Sequence, residues 1–242
     1  MQELLLAEPK RLRHESVLAG LVALEVIVFS ILGRNFLTFG NGMEIIRVSA
    51  EIGLLALALT PVIVSGGIDL SVGSMMALSA VVFGKMSQDI GVPMAAMLTL
   101  GVGALGGLVN ASIITRLKVP ALIVTLGTYS LFRGIAEGVT QGAQNFTNFP
   151  ESFLFLGQGY FFGIIPAQLP VFAAVAAGYA FLLHRTTLGR ATYAIGCSAE
   201  GAMYAGIPVS KRLSLLYVLS GVVSSLAAIL YVAHLGQAKA DA

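Results

Sequence analysis

"GGIDLSVG", residues 66–73, decides how this chain is read. It separates two runs suited to lipid, "EIGLLALALTPVIVS" (51–65) and "SMMALSAVVFGKM" (74–86), with three glycines, an aspartate and a serine. Gly66 and Gly67 permit backbone that other residues resist. Asp69 or Ser71 can then cap the next helix by accepting from its free N–H groups, and Asp69 suits its positive end. Both flanking runs are short for a complete span, and short, glycine-interrupted apolar segments are a mark of broken helices beside transport pathways. Two readings stay open: a turn at the membrane face with a capping aspartate, or a helix break over 65–71 that lines a pathway. Either needs its irregular backbone satisfied locally.

Working outward, the chain has 242 residues, 57% hydrophobic and 11% charged. Soluble domains carry about 25% charged residues, so this composition points to an all-α integral membrane protein. The net charge of +2 and the lack of a basic stripe argue against nucleic acid as a partner. A single cysteine, Cys197, leaves no internal disulfide, and His14, His184 and His234 lie far apart. No metal site, catalytic constellation or cofactor motif is expected.

Hydropathy gives about seven candidate spans, near 16–33, 48–65, 71–88, 94–115, 119–140, 167–184 and 213–235. The first follows Lys10, Arg11 and Arg13 but is long and lacks a clear cleavage site, so it reads as an uncleaved span. With the N-terminus cytoplasmic, inner segments hold Lys10, Arg11, Arg13, Arg116, Lys118, Arg185, Arg190, Lys211 and Arg212. Outer ones hold Arg34, Arg47 and Lys85, an excess inside that supports this orientation. Two connections are long, the outer one at 141–168 and the inner one from His184 to Arg212. The chain reads as one transmembrane domain over 1–242, and its stop at "AKADA" directly after a span is expected to be a C-terminal truncation.

Charges inside apolar segments need partners. Arg133 and Glu137 stand four apart and can pair, and Glu44, Arg47 and Glu51 read as an ion-paired helix end. Glu25 has no local partner and is expected to face protein. Gly103 and Gly107, and Gly134, Gly138 and Gly142, have the spacing of close helix packing. A neutral polyol would need hydroxyl and amide partners, for which Ser65, Ser74, Asn110, Thr125 and Thr128 are the substrate-lining candidates.

Three longer blocks carry a family resemblance. "VIVSGGIDLSVGSMMALSA" (62–80) resembles the signature of permease subunits of bacterial ABC importers for ribose, arabinose and related monosaccharides. "KVPALIVTLGTYSLFRGIAEGVTQG" (118–142) and "TTLGRATYAIGCSAEGAMYAGIPVSKRLSLLYVLSG" (186–221) are similar to that family's next block and its inner loop. Within the family the chain looks nearest to ribose and autoinducer-2 permeases, whose chains continue with roughly three more spans. The resemblance implies a multi-pass subunit of the bacterial inner membrane, working with a cytoplasmic ATP-binding subunit and a periplasmic solute-binding protein. It also implies a second permease copy or homologue, all held in membrane lipid.

"SAEGAMYAGIPVS" (198–210) is punctuated as a very short helix. Ser198 can cap it, Glu200 favours its positive end, Gly206 closes it and Pro208 prevents continuation. Such a helix, Ala199 to Ala205, does not persist alone in water, so something packs on it. Its Glu200, Ala202 and Gly206 resemble the E-A-A-x-x-x-G coupling loop that docks on the ATPase, with Gly201 in place of the middle alanine. No G-x-x-x-x-G-K-[ST] phosphate loop occurs, which agrees with ATP hydrolysis in a separate subunit. The rival reading is an ion-coupled carrier of a small solute, with Asp69 and Glu25 as its coupling acids.

Overall fold

The structure is a computed structural model that describes residues 14–240. Lys10, Arg11 and Arg13, counted above for orientation, lie outside the described residues. Ten α-helices occur among the described residues: α1 His14–Leu32, α2 Phe39–Val64, α3 Val72–Ile90, α4 Val92–Arg116, α5 Ala121–Thr140, α6 Glu151–Gln158, α7 Gln168–Arg185, α8 Thr187–Cys197, α9 Ala199–Tyr204 and α10 Val209–Leu235. A small antiparallel hairpin, β1 Tyr160–Phe161 and β2 Ile165–Pro166, lies between α6 and α7. Contacts group the chain into two compact units, residues 1–45 and 46–242.

All seven apolar segments are helical, and the protein is an all-α membrane protein. By length and apolarity alone, α2, α4 and α10 are able to cross a bilayer. The pair α7 and α8, bent by 73°, adds a fourth, and the apolar part of α1 is shorter. The physical reason for the difference from seven is clearest in α3. Its residues from Ser74 to Val81 are all buried, so neighbouring helices rather than lipid surround it. A helix wrapped in protein tolerates Ser74 and Ser79, where a lipid-facing one would need continuous apolar surface.

In the first unit, the Phe29 and Phe36 rings, 5.8 Å apart, close the turn after α1. Glu25 is exposed there.

In the second unit, α10 runs through the core, with Leu216, Ala227, Ala228, Val232 and Ala233 fully buried. It crosses α4 where both helices have glycine. A Cβ at Gly107 would stand 2.2 Å from the Tyr217 carbonyl oxygen, and one at Gly221 would stand 2.0 Å from that of Gly103. The Gly103 and Gly107 stripe therefore packs as its spacing predicts. The other stripe does not: a Cβ at Gly134 or Gly138 meets nothing within 4 Å, and Gly142 lies beyond α5 at φ +73°.

The 141–167 connection is fastened down. Phe83 of α3 stacks with Phe149 and Phe153, with centroids 5.9 and 4.9 Å away. Gln158 Nε2 donates to the His234 carbonyl at 2.9 Å, and Phe146 bridges to Ala238 beyond α10. The connection expected as a loop from His184 to Arg212 contains α8 as well as α9.

Candidate functional site

Residues 65–71 are non-helical between α2 and α3, as both readings require, and each side of this interruption is finished by a different device. On the α2 side, Gly66 N–H donates to the Ile63 carbonyl and Gly67 N–H to that of Val62, both at 2.9 Å. Gly66 sits at φ +79°. This is the paired closure that satisfies orphan carbonyls when a left-handed residue follows a helix. Gly67 has a further reason to lack a side chain, since a Cβ there would lie 2.9 Å from the Tyr217 hydroxyl.

On the α3 side, Asp69 does the capping, and Ser71 does not. Ser71 stands at the N-cap position without a side-chain bond to the helix amides. Asp69 Oδ1 instead accepts from the Ser71 amide at 3.0 Å and from its hydroxyl at 2.6 Å. The other carboxylate oxygen, Oδ2, accepts from Ser220 Oγ of α10 at 2.9 Å. Asn110 Nδ2 of α4 donates to Ser71 Oγ at 2.8 Å, and Thr128 Oγ1 of α5 donates to Asn110 Oδ1 at 2.7 Å. One chain of hydrogen bonds thus joins α10, the break, α4 and α5. All five side chains, from Ser220 to Thr128, are buried, which makes each bond expensive to leave unmade.

The remaining polar candidates sit close by and bond to backbone. Ser65 Oγ donates to the Val62 carbonyl, Ser74 Oγ to that of Ser71, and Thr125 Oγ1 to that of Ala121 at 2.9 Å. The space bounded by Asp69, Ser71, Asn110, Ser220 and Ser224 is too small for a water molecule. Ile68 and Leu70 point the other way and are exposed. The break therefore has a polar side locked into the bundle and an apolar side facing out of it.

The short helix follows its sequence punctuation closely. Ser198 Oγ accepts from the Gly201 amide at 3.0 Å. At the far end Gly206, at φ +81°, donates to the Met203 carbonyl, and Ile207 donates to that of Ala202, both at 3.0 Å. α9 ends at Tyr204, one residue before the expected Ala205. Ala202 is the residue it buries, while Glu200 is exposed, as are Met203 at 59% and Tyr204 at 80%. Thr186 Oγ1 caps α8 by accepting from Gly189. At its other end α8 meets the break: a Cβ on Gly196 would fall 2.0 Å from the Val64 carbonyl oxygen. The element that presents α9 therefore rests directly on the last turn of α2.

A second polar cluster was not legible in the sequence. Glu51 Oε1 accepts from Gln168 Nε2 and faces His234 Nδ1, both at 2.8 Å. Arg47 Nη2 donates to the Gln158 carbonyl at 3.1 Å, and its guanidinium lies 4.7 Å from the Tyr160 ring centroid. Glu51 thus takes partners from α7 and α10 that are more than a hundred positions away in sequence, where helical spacing had suggested its neighbours on α2. The pair expected on α5 is present, with Arg133 Nε 2.8 Å from Glu137 Oε1. Among the described residues no group of His, Cys, Asp and Glu could hold a metal ion.

At residues 65–71, then, α2 is closed and α3 is capped inside the helical bundle, and α8, which carries α9, rests on the last turn of α2. Residues 41–242 match the family described as branched-chain amino acid transport system / permease component, and the chain belongs to that family. Among curated proteins, it is 40% identical over 245 residues to the autoinducer 2 import system permease protein LsrD of Yersinia pseudotuberculosis serotype O:3 (strain YPIII). That similarity covers 96% of this chain and 71% of the relative. The protein of the same name from Photorhabdus luminescens is 38% identical over 244 residues, with the same two coverages. No solved structure matches the chain.

Proposed function

We propose that this chain is the transmembrane permease subunit of an ATP-driven importer for a small sugar-like solute, with autoinducer 2 as the first solute to test. The observation that carries this reading is the placement of α9. A six-residue helix cannot persist by its own hydrogen bonds, yet this one is capped at both ends and presents Glu200, Met203 and Tyr204 outward. Such an element fits a cleft in a cytoplasmic ATP-binding subunit, with Glu200, Ala202 and Gly206 as the coupling residues. The Gly196 contact supplies a route from that cleft to Gly66, Gly67, Asp69 and Ser71 at the break. Asn110 and Thr128 extend the route to α4 and α5, while Ser65, Ser74 and Thr125 brace it through backbone bonds.

The subunit works as one translocation domain beside a second permease copy or homologue, in lipid, and receives solute from a periplasmic binding protein. Its N-terminus is cytoplasmic, which places α9 with the ATPase and the 141–167 connection with the binding protein. Asp69 has both oxygens engaged inside the bundle, so proton coupling has no support in its geometry.

Glu200→Arg and Gly206→Val test the reading in the protein together with its ATPase. Glu200 contributes at most about 1 kcal/mol through the helix dipole, too little to unfold the chain. A Cβ at Gly206 meets no neighbour, but valine resists φ +81°. Both variants are expected to insert normally, co-purify poorly with the ATPase and lose ATP-driven uptake. Normal co-purification and normal uptake in both would remove the coupling role.

A further inference from the structure

We propose that a cavity against the C-terminal half of α5 binds a neutral polyhydroxylated solute, with Arg133 and Glu137 as its recognition pair. The proposal rests on the transport reading above and assigns that reading a solute contact. The cavity measures about 520 Å³ and is lined by Arg133, Glu137, Thr140, Gln144, Asn145 and Lys239, together with small residues. That is within the range of small-molecule sites, roughly 300–1,000 Å³.

The charge pair does not fit a lipid-facing surface. Arg133 lies about two turns, ~10 Å, inside the end of α5, and the Arg133 and Glu137 side chains are 34% and 53% exposed. Charges at that depth are expensive against hydrocarbon, so this face borders water or polar contacts. The pairing uses only Nε of the guanidinium. Among the described residues, the terminal nitrogens of Arg133 make no other bond, and they are available to a ligand. Elsewhere on the surface of the same helix Ser130, Gly134 and Gly138 are exposed, and a Cβ on either glycine would meet nothing within 4 Å. That face of α5 is open, unlike the glycine face of α4 that α10 fills.

The lining selects a chemical class. A hydroxyl group donates to the Glu137 carboxylate and accepts from Arg133, and the carboxamides of Gln144 and Asn145 do both. A cation would meet Arg133 and Lys239; an anion would be drawn to those two but repelled by Glu137, whose carboxylate only a donor satisfies. A neutral molecule with several adjacent hydroxyls satisfies the whole set.

The test uses Ala143→Cys, a lining position with no polar group to lose, with Cys197→Ser in the full chain, in lipid nanodiscs, labelled with a charged maleimide. Ribose is the polyol probe, with inorganic phosphate and choline as the charged ones. Ribose is expected to slow labelling saturably, about tenfold at ten times its Kd, while phosphate and choline do not. Adding Glu137→Gln should abolish that protection, each variant being compared with its own labelling rate in the absence of ribose. No saturable protection by ribose, or protection by phosphate alone, overturns the proposal. So does a cysteine that never labels, because then other polypeptide fills the cavity. ATP-driven uptake with the ATPase present separates the two readings. Uptake that fails while protection persists sinks the transport reading and leaves the site. Uptake that proceeds with a KM unaffected by Glu137→Gln, alongside unaltered protection, sinks the site alone.

Discussion

Replacing Asp69 separates structural capping from proton coupling. Its carboxylate accepts three hydrogen bonds, two from Ser71 and one from Ser220. Leucine at this position leaves the buried Ser71 amide without an acceptor, at a cost of about 1–3 kcal/mol. The two hydroxyls lose charge-assisted bonds but can rotate toward nearby carbonyls, which recovers part of the loss. The expected total is about 3–6 kcal/mol on the same scale. Asparagine keeps an oxygen where Oδ1 stands and sets an NH₂ opposite Ser220, whose hydroxyl can turn to accept it. Only the charge assistance is lost, about 1–2 kcal/mol. For chains of this size each kcal/mol moves Tm by roughly 2–4 °C, so the two variants should differ by several degrees or more. Thermal unfolding followed by size exclusion in detergent gives both values, and uptake is measured alongside. Asp69→Asn should remain the milder change in stability and in uptake. An Asn variant as stable as the wild type, yet as dead in uptake as the Leu variant, would refute capping and make Asp69 a proton carrier.

The α4–α10 crossing should reject even one methyl group. Gly107→Ala places its Cβ 2.2 Å from backbone and should lower Tm sharply, whereas Gly134→Ala meets nothing and should leave Tm unchanged, as thermal unfolding of the two variants will tell. Valine at Gly66 should impair assembly more than alanine does, because β-branching adds to the strain of φ +79°; membrane yield compares them. With Cys197→Ser, Asn148→Cys should label in intact cells with an impermeant reagent and Lys211→Cys should not; the reverse pattern would invert the topology.

Much of this protein was legible because the relevant physics is local. The apolar runs marked the seven helical segments, and the glycine pair marked the break, since few residues other than glycine accept the φ of +79° at Gly66. Ser198, Gly206 and Pro208 bracketed α9 for similar reasons, to within a residue at its C-terminal end. Arg133 and Glu137 were paired correctly because four residues on a helix is a fixed distance. The tertiary structure decided what depends on approach between distant segments. Only it brings Ser220 to Asp69, Thr128 to Asn110 and His234 to Glu51. It also distinguishes two glycine stripes of the same spacing, one filled by α10 and the other left open. Spacing records which residues share a helix face, but what packs on that face depends on how the helices cross, and no local signal carries that information.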